Sequence, residues 1–369
     1  MKIKHGLLAF ATALALPGSA EAQPLVRDVA TSTYAVVADP VRLAFAPDGT
    51  LYVGRDASDS VGGAGDAVKI HRVAPGGSPV TEVGNLAIPD PDALIVDVAG
   101  LVSGTPGAVI VGGVSSNPLA QGTIWQIAPD GRNAVTPLFG PSTSFWNPTH
   151  FIFDSSGRLL FTDYEGGKIW VMTNGTPTIL ISGLSQPLGI AVDSQDRVLV
   201  NASTESQVRL YSATGVLITN SFVPAAMRTP LAFGPGGFWD TGVFYVSTNG
   251  DLMTASLGGQ ATRVGIGFGG LDDLVFGPDG ALYASHLGND LIWQITPGTP
   301  LLSIFLTATN TVAVSWPSPP TGWNLQQNTN GLSSLNWSEV TDTIQDDGTN
   351  RTLIVNPPVG GCLYRLQKP

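Results

Sequence analysis

Leu43-Ala-Phe-Ala-Pro-Asp-Gly-Thr-Leu-Tyr-Val53 is an apolar run, a Pro-Asp-Gly turn and a second apolar run, and the chain repeats this phrase along most of its length. Close copies stand at Phe151-Ile-Phe-Asp-Ser-Ser-Gly-Arg-Leu-Leu-Phe161, Gly189-Ile-Ala-Val-Asp-Ser-Gln-Asp-Arg-Val-Leu-Val200, Leu231-Ala-Phe-Gly-Pro-Gly-Gly237 and Leu274-Val-Phe-Gly-Pro-Asp-Gly-Ala-Leu-Tyr283. A looser copy, Ile95-Val-Asp-Val-Ala-Gly100, runs on to Ala108-Val-Ile-Val-Gly112. Proline presets φ and Asp or Gly accepts the left-handed position a tight turn needs, so each copy reads as strand, turn, strand. Repetition at this scale means a radial or stacked array.

The residue before each turn is a ruler: Phe45, Val96, Phe153, Val192, Phe233 and Phe276. The last three steps are 39, 41 and 43 residues, and the first two are 51 and 57. A four-stranded propeller blade takes about 40–45 residues, so the long steps carry insertions, at Ser58 to Asp66 and at Ser142 to Pro148. A second motif alternates with the first: Val68 to Gly76, Thr123 to Gly131, Lys168 to Gly175, Val208 to Gly215, Leu252 to Gly258 and Leu291 to Gly298, each a strand ending in a Gly turn. Six copies of both predict a six-bladed β-propeller over 23–299. The spare stretch Leu25 to Val37 is expected to supply the outer strand of the last blade, closing the ring and removing an exposed edge. After Pro300 the period vanishes. Short alternating runs separated by turn clusters such as Asp346-Asp-Gly-Thr-Asn350 predict a small β-sandwich module over 300–369. The fold class expected is all-β.

Met1-Lys-Ile-Lys-His5, the apolar stretch Gly6 to Pro17 and a small-x-small pattern ending at Ala22 make residues 1–22 a secretory signal peptide. No later segment holds about 18 uninterrupted apolar residues, so no membrane insertion is expected. The expected location is secreted, periplasmic or cell-surface. A formal net charge of −11 repels phosphate backbones and anionic lipid, which argues against nucleic-acid partners. The single cysteine, Cys362, excludes an intramolecular disulfide.

Pro187-Leu-Gly-Ile-Ala-Val-Asp193, Phe161-Thr-Asp-Tyr-Glu-Gly-Gly-Lys-Ile-Trp170 and Phe276-Gly-Pro-Asp-Gly-Ala-Leu-Tyr283 resemble the six-bladed propellers of the NHL-repeat and gluconolactonase (senescence-marker-protein) superfamily. The tail, with Val312-Ala-Val-Ser-Trp-Pro317 and Leu363-Tyr-Arg-Leu366, is similar to C-terminal modules on secreted proteins of environmental bacteria. For the gluconolactonase-like enzymes the resemblance implies a divalent cation, usually Ca²⁺, on the central axis, held by Glu, Asn and Asp at the starts of the innermost strands; hard oxygen ligands suit such an ion. The matching positions here are Val41, Asp92, Thr149, Leu188, Thr229 and Asp272. Asp92 and Asp272, with Asp273 beside the latter, are therefore the candidate metal ligands, while the family's Glu and Asn are absent. His286 is the candidate proton carrier, paired with Asp272. For each Asp the alternative is turn chemistry or strand-start capping.

Arg55, Asp163 and Tyr164 end second strands and, with Thr149, His150 and Thr229, are expected to line the same channel mouth as ligand-binding residues. Trp125, Trp170 and Trp293 recur at one repeat position and read as blade packing. Trp146 and Trp239 fall outside that register and are candidates for ligand stacking. Gly265-Ile-Gly-Phe-Gly-Gly270 precedes Leu271-Asp-Asp273 rather than a helix, so it carries no dinucleotide logic. Asp56 to Asp66 lacks the Gly and Glu of an EF-hand loop. The reading that follows is an exported propeller recognising a small molecule, glycan or peptide at the channel mouth, without a complete catalytic set. The alternative is a Ca²⁺-dependent lactonase or related hydrolase, and the C-terminal module is a candidate cell-surface tether.

Overall fold

Turn chemistry comes first in this chain. Asp154 Oδ1 accepts the backbone N–H of Ser156 (3.0 Å) and of Arg158 (2.9 Å), and Arg158 Nε closes on Oδ2 at 2.6 Å. Asp193 does the same one blade later with Gln195, Arg197 and the Arg197 guanidinium. An Asp followed four residues on by Arg thus satisfies the turn's own donors and reverses the chain into the next strand.

The computed structural model describes residues 29–56, 67–115, 121–129, 132–173, 175–298, 300–309, 311–317, 323–329, 336–347, 350–356 and 361–367. The signal-peptide expectation for 1–22 and the insertion Ser58 to Asp66 lie outside them. Six four-stranded antiparallel sheets follow one another along the chain. Their innermost strands are Pro40–Phe45, Leu94–Asp97, Pro148–Phe153, Pro187–Val192, Ala232–Phe233 and Asp273–Phe276, in blades 1 to 6. The ruler residues are the last or next-to-last positions of these strands. The second motif forms the third strand of every blade, from Ala67–Val73 in blade 1 to Leu291–Pro297 in blade 6. Val29–Val36 pairs with that last strand as the outer strand of blade 6, so the chain's two propeller ends meet in one sheet.

Side chains alternate along each inner strand, and each row packs against a different neighbouring blade. Leu43 joins Val53, Ala281 and Tyr283 between blades 1 and 6, while Ala44 joins Ile70, Leu94 and Val109 between blades 1 and 2. A fully buried aliphatic side chain in such an interface contributes roughly 1.5–3 kcal/mol. Blade 3 is the most aromatic: Phe145, Phe161 and Trp170 pack with ring centroids 5.1–6.3 Å apart.

The chain divides into two compact units, the second being Thr31–Pro235 with Thr241–Thr296 and the first taking in Pro297–Pro369. That C-terminal region holds one sheet of Ser303–Leu306, Val312–Pro317, Asn350–Val355 and Ile344–Asp346, and another of Ser338–Glu339, Asn324–Asn328 and Leu363–Gln367. Val314, Trp316, Leu325 and Leu353, from both sheets, form its core. Among the described residues no helix is long and apolar enough to cross a membrane.

Candidate functional site

The starts of the six inner strands converge at one end of the ring, and Arg42 stands at their centre. It follows Pro40-Val41 in blade 1, and it is 4% exposed. Nε donates to the Thr149 carbonyl at 2.7 Å, and Nη1 to the carbonyls of Asp272 (2.5 Å) and Val41 (3.2 Å). Thr149 belongs to blade 3 and Asp272 to blade 6, opposite one another in a six-membered ring, so a guanidinium touching both lies on the axis. The seam between blades 6 and 1 is tied at the same level. Asp273 Oδ2 accepts the Leu43 N–H at 2.8 Å, and Ser285 Oγ donates to the Val41 carbonyl at 3.1 Å.

This arrangement corrects the expected metal site. The place on the axis where a divalent cation would sit is taken by an organic cation whose Nε and Nη1 are bonded to strand-start carbonyls. Asp272 turns its Oδ2 to the Leu287 N–H at 2.8 Å, and Asp273 is committed to Leu43. Asp92 groups instead with Asp56 and Asp90, their ligand oxygens within 4.8 Å of one another. That trio belongs to the loops after the second and outer strands of blade 1. The residues present therefore do not fit an axial Ca²⁺, and Asp92, Asp272 and Asp273 do not share one ion.

Burial, then the like charges of Asp90 and Asp56, push the Asp92 carboxyl well above the ordinary carboxylate range, with Arg42 opposing them. Burial raises Asp272 as well, against the Leu287 hydrogen bond and the charges of Arg42, Arg228 and His286. Asp273 is pushed up to about 6 by burial, opposed by Arg42 and the Leu43 hydrogen bond. A buried cation thus serves several acids that burial would otherwise neutralise.

Several ligand-binding expectations are overturned by burial. Asp163 is fully buried: Oδ1 accepts the N–H groups of Trp146 (3.0 Å), Asn147 (3.2 Å) and Gly166 (3.2 Å), and Oδ2 the Trp170 indole N–H (3.2 Å). It pins the loop before blade 3 rather than facing a ligand. Thr149 hydrogen-bonds Thr162 Oγ1 at 2.9 Å, and Thr229 Oγ1 accepts the Val246 N–H at 2.7 Å, both out of solvent. Trp239 is 3% exposed in the short helical turn Gly237–Trp239, which follows the end of its inner strand rather than its start. His150 lies inside the channel, lining its central cavity, and not on the rim.

Others are less enclosed. Trp146 is 49% exposed, presented outward by the loop that Asp163 anchors. Arg55 pairs with Asp39 at 3.3 Å, and the Tyr164 N–H donates to the Asn147 carbonyl at 3.0 Å. His286 stacks at a tilt on Trp293, centroids 5.5 Å apart, with Nε2 3.3 Å from Asn289 Nδ2. Among the described residues no hydrogen bond joins it to Asp272. Two residues of the mouth escaped the sequence reading. Glu165, raised by burial, hydrogen-bonds the Asn147 side chain and adds to the acidity around Asp92. Arg42 had one signal: it is the lone charge inside the apolar strand Pro40-Val-Arg-Leu-Ala-Phe45.

No protein-family model matches the chain, and no curated protein matches its sequence. Solved structures do match its fold. A gluconolactonase of Xanthomonas campestris aligns at 14% identity over 73% of this chain and 89% of its own, with a TM-score of 0.56. The soluble aldose sugar dehydrogenase of Escherichia coli aligns at 14% identity over 73% and 100%, TM-score 0.52. A glucose dehydrogenase aligns at 13% over 74% and 100%, TM-score 0.54. At such identity the likeness speaks to architecture alone: the chain has the β-propeller fold of these structures.

Proposed function

We propose that the protein is an exported recognition protein that binds a glycan or small polyol at the strand-start mouth of the propeller, without a metal on the axis. The observation that carries this reading is Arg42. A lactone hydrolase that relies on an axial ion polarises the substrate carbonyl with it. Here the axial charge is a guanidinium, 4% exposed, whose Nε and Nη1 are engaged by Thr149, Asp272 and Val41, and a guanidinium has no open coordination position in which to polarise a substrate oxygen as a metal would. Around that closed centre the mouth offers acceptors and a stacking surface: Asp92, Glu165 and Asp272 with their raised proton affinities, and the exposed face of Trp146. Carboxyl groups accepting hydroxyl protons beside an aromatic plane suit a polyhydroxylated ligand. The leader-like residues 1–22 support export, and the C-terminal module is the candidate tether.

The test is calorimetric titration of the protein with a panel of neutral oligosaccharides in EDTA, beside an assay of glucono-δ-lactone hydrolysis with and without Ca²⁺. Binding that survives EDTA and weakens in Trp146→Ala is the expected result. Ca²⁺-dependent lactone hydrolysis, abolished in Asp272→Ala, would replace this reading with the hydrolase that the fold's enzymatic neighbours suggest.

A further inference from the structure

Beyond Arg42, on the side away from the mouth, the six inner strands enclose a cavity of about 340 Å³. Its lining begins at Leu43, the residue after Arg42, and ends at Phe45, Phe233 and Phe276. Leu43, Leu94 and Leu231 near the strand starts are buried, whereas those three phenylalanines are only half-buried. The channel is therefore closed by Arg42 at one end and opens at the other, where the inner strands finish.

Two polar side chains line this apolar passage, and both present an unused atom. Asp273 is 3% exposed; Oδ2 holds the Leu43 N–H, while Oδ1 is sealed from solvent with no partner. His150 Nδ1 is likewise buried and unpartnered. Asp273 lies on blade 6 and His150 on blade 3, so the two face one another across the passage. A buried acceptor left unsatisfied is costly, and a native structure that keeps two at the end of a cavity has a place for a donor.

We propose that this blind channel is a second binding site, taking a small neutral molecule with an apolar body and a hydroxyl head, such as a phenol, inserted head first from the strand-end opening. The head donates to Asp273 Oδ1 or His150 Nδ1, and the body lies against Leu43, Ile152 and Phe276. A cationic head is disfavoured by the guanidinium of Arg42 one residue deeper, and an anionic head by the two acceptors. The volume, at about 30 Å³ per water, admits roughly eleven waters or one ligand of modest size, at the lower end of the range for small-molecule pockets. The site lies across Arg42 from the mouth and stands independently of the glycan reading.

A matched pair of probes tests it: 4-methylphenol, and 4-methylanisole, which keeps the shape and loses the donor. Calorimetry and melting curves are recorded at millimolar probe for the wild type, for Asp273→Asn and for Ala232→Leu, which narrows the passage at a lining position. The wild type is expected to bind 4-methylphenol and to bind 4-methylanisole at least tenfold more weakly. Asp273→Asn, which keeps an acceptor for Leu43 but turns the free acceptor into a donor, loses most of that preference, and Ala232→Leu loses binding of both. Failure of the wild type to bind 4-methylphenol means a passage filled by ordered water and overturns the proposal. So does equal binding of the two probes, or unchanged binding in Ala232→Leu; a crystal soaked with 4-methylphenol decides the case if either variant is unstable.

Discussion

Replacing Arg42 with Met keeps the length of the stem and removes the cation from the centre of the ring. The wild-type guanidinium donates to three carbonyls, of which Val41 retains the Ser285 hydroxyl while Thr149 and Asp272 lose the donor that holds them at 2.7 and 2.5 Å. Asp273, already raised to about 6, also loses its largest favourable charge. Removing one partner from a buried charged network costs about 3–5 kcal/mol, because what remains is buried and uncompensated. A domain of this size shifts by roughly 2–4 °C per kcal/mol, so the propeller's melting transition should fall by about 10 °C. Arg42→Lys keeps the charge but lacks the planar fork that spans blades 3 and 6, and should recover about half of the loss.

Urea unfolding followed by tryptophan fluorescence is the assay, with the C-terminal module's transition separated by repeating it at 222 nm in circular dichroism. The loss should be the same at low and high salt, since a network this buried is little screened. An Arg42→Met protein within about 1 kcal/mol of wild type would refute the axial role, measured against the 3–5 kcal/mol that network loss entails. So would an Arg42→Lys variant as stable as the arginine.

Three further outcomes follow from particular contacts. Asp97 accepts the N–H groups of Leu101, Val102 and Ser103 and the Ser103 hydroxyl, so Asp97→Ala should cost about 2 kcal/mol and speed amide exchange in residues 98–107. Gly122 has room for no side chain, a Cβ there meeting the Phe145 ring and its carbonyl at 2.9 Å, so Gly122→Ala should cost about 1–3 kcal/mol and be partly rescued by Phe145→Leu. Asp273, raised from 3.8 to about 6 chiefly by burial, binds its proton more tightly folded than unfolded. Its contribution to stability is therefore complete below pH 4 and lost as pH climbs to about 6. Relative to Asp273→Asn, the wild type should lose up to about 3 kcal/mol between pH 4 and 7, and a flat difference would remove the shift.

The blades were legible because one piece of chemistry recurs in each. A turn that needs Asp, Gly or Pro at set positions leaves the same letters every forty-odd residues, and the apolar residue before it marks where each inner strand ends. Blade 5 shows where that legibility thins: its copy ends Gly234-Pro-Gly-Gly237, and its inner strand is only Ala232–Phe233. The site was harder to read, since the mouth is assembled from loops that come together only in the closed ring. Asp163 sits at a strand end, as a rim residue would, yet the insertion carrying Trp146 and Asn147 folds over it and uses all it offers. The converse error concerns Arg42. One residue from the position that family likeness marks, it is a lone charge in an apolar strand, and nothing local says that Thr149, more than a hundred residues on, is its partner.

The acids and the arginine explain one another. Converging strand starts bring Asp92, Asp272 and Asp273 toward the axis from blades 2 and 6, beside carbonyls aimed the same way, and so many acceptors need a cation among them. A bound ion would meet that need only while the medium supplies it. A guanidinium built into the first blade meets it permanently, and it does so at the seam where Leu43, Asp273 and Ser285 join the first blade to the last. Closure of the ring and neutralisation of its centre are then one interaction, made as the chain folds. What the axis gains in permanence it gives up in reactivity, since a buried guanidinium whose Nε and Nη1 hold the ring together offers a substrate no open coordination position. Both proposed binding sites accordingly lie off the centre, outward at the acidic, Trp146-bearing loops on one side and inward at the unpaired acceptors of Asp273 and His150 on the other.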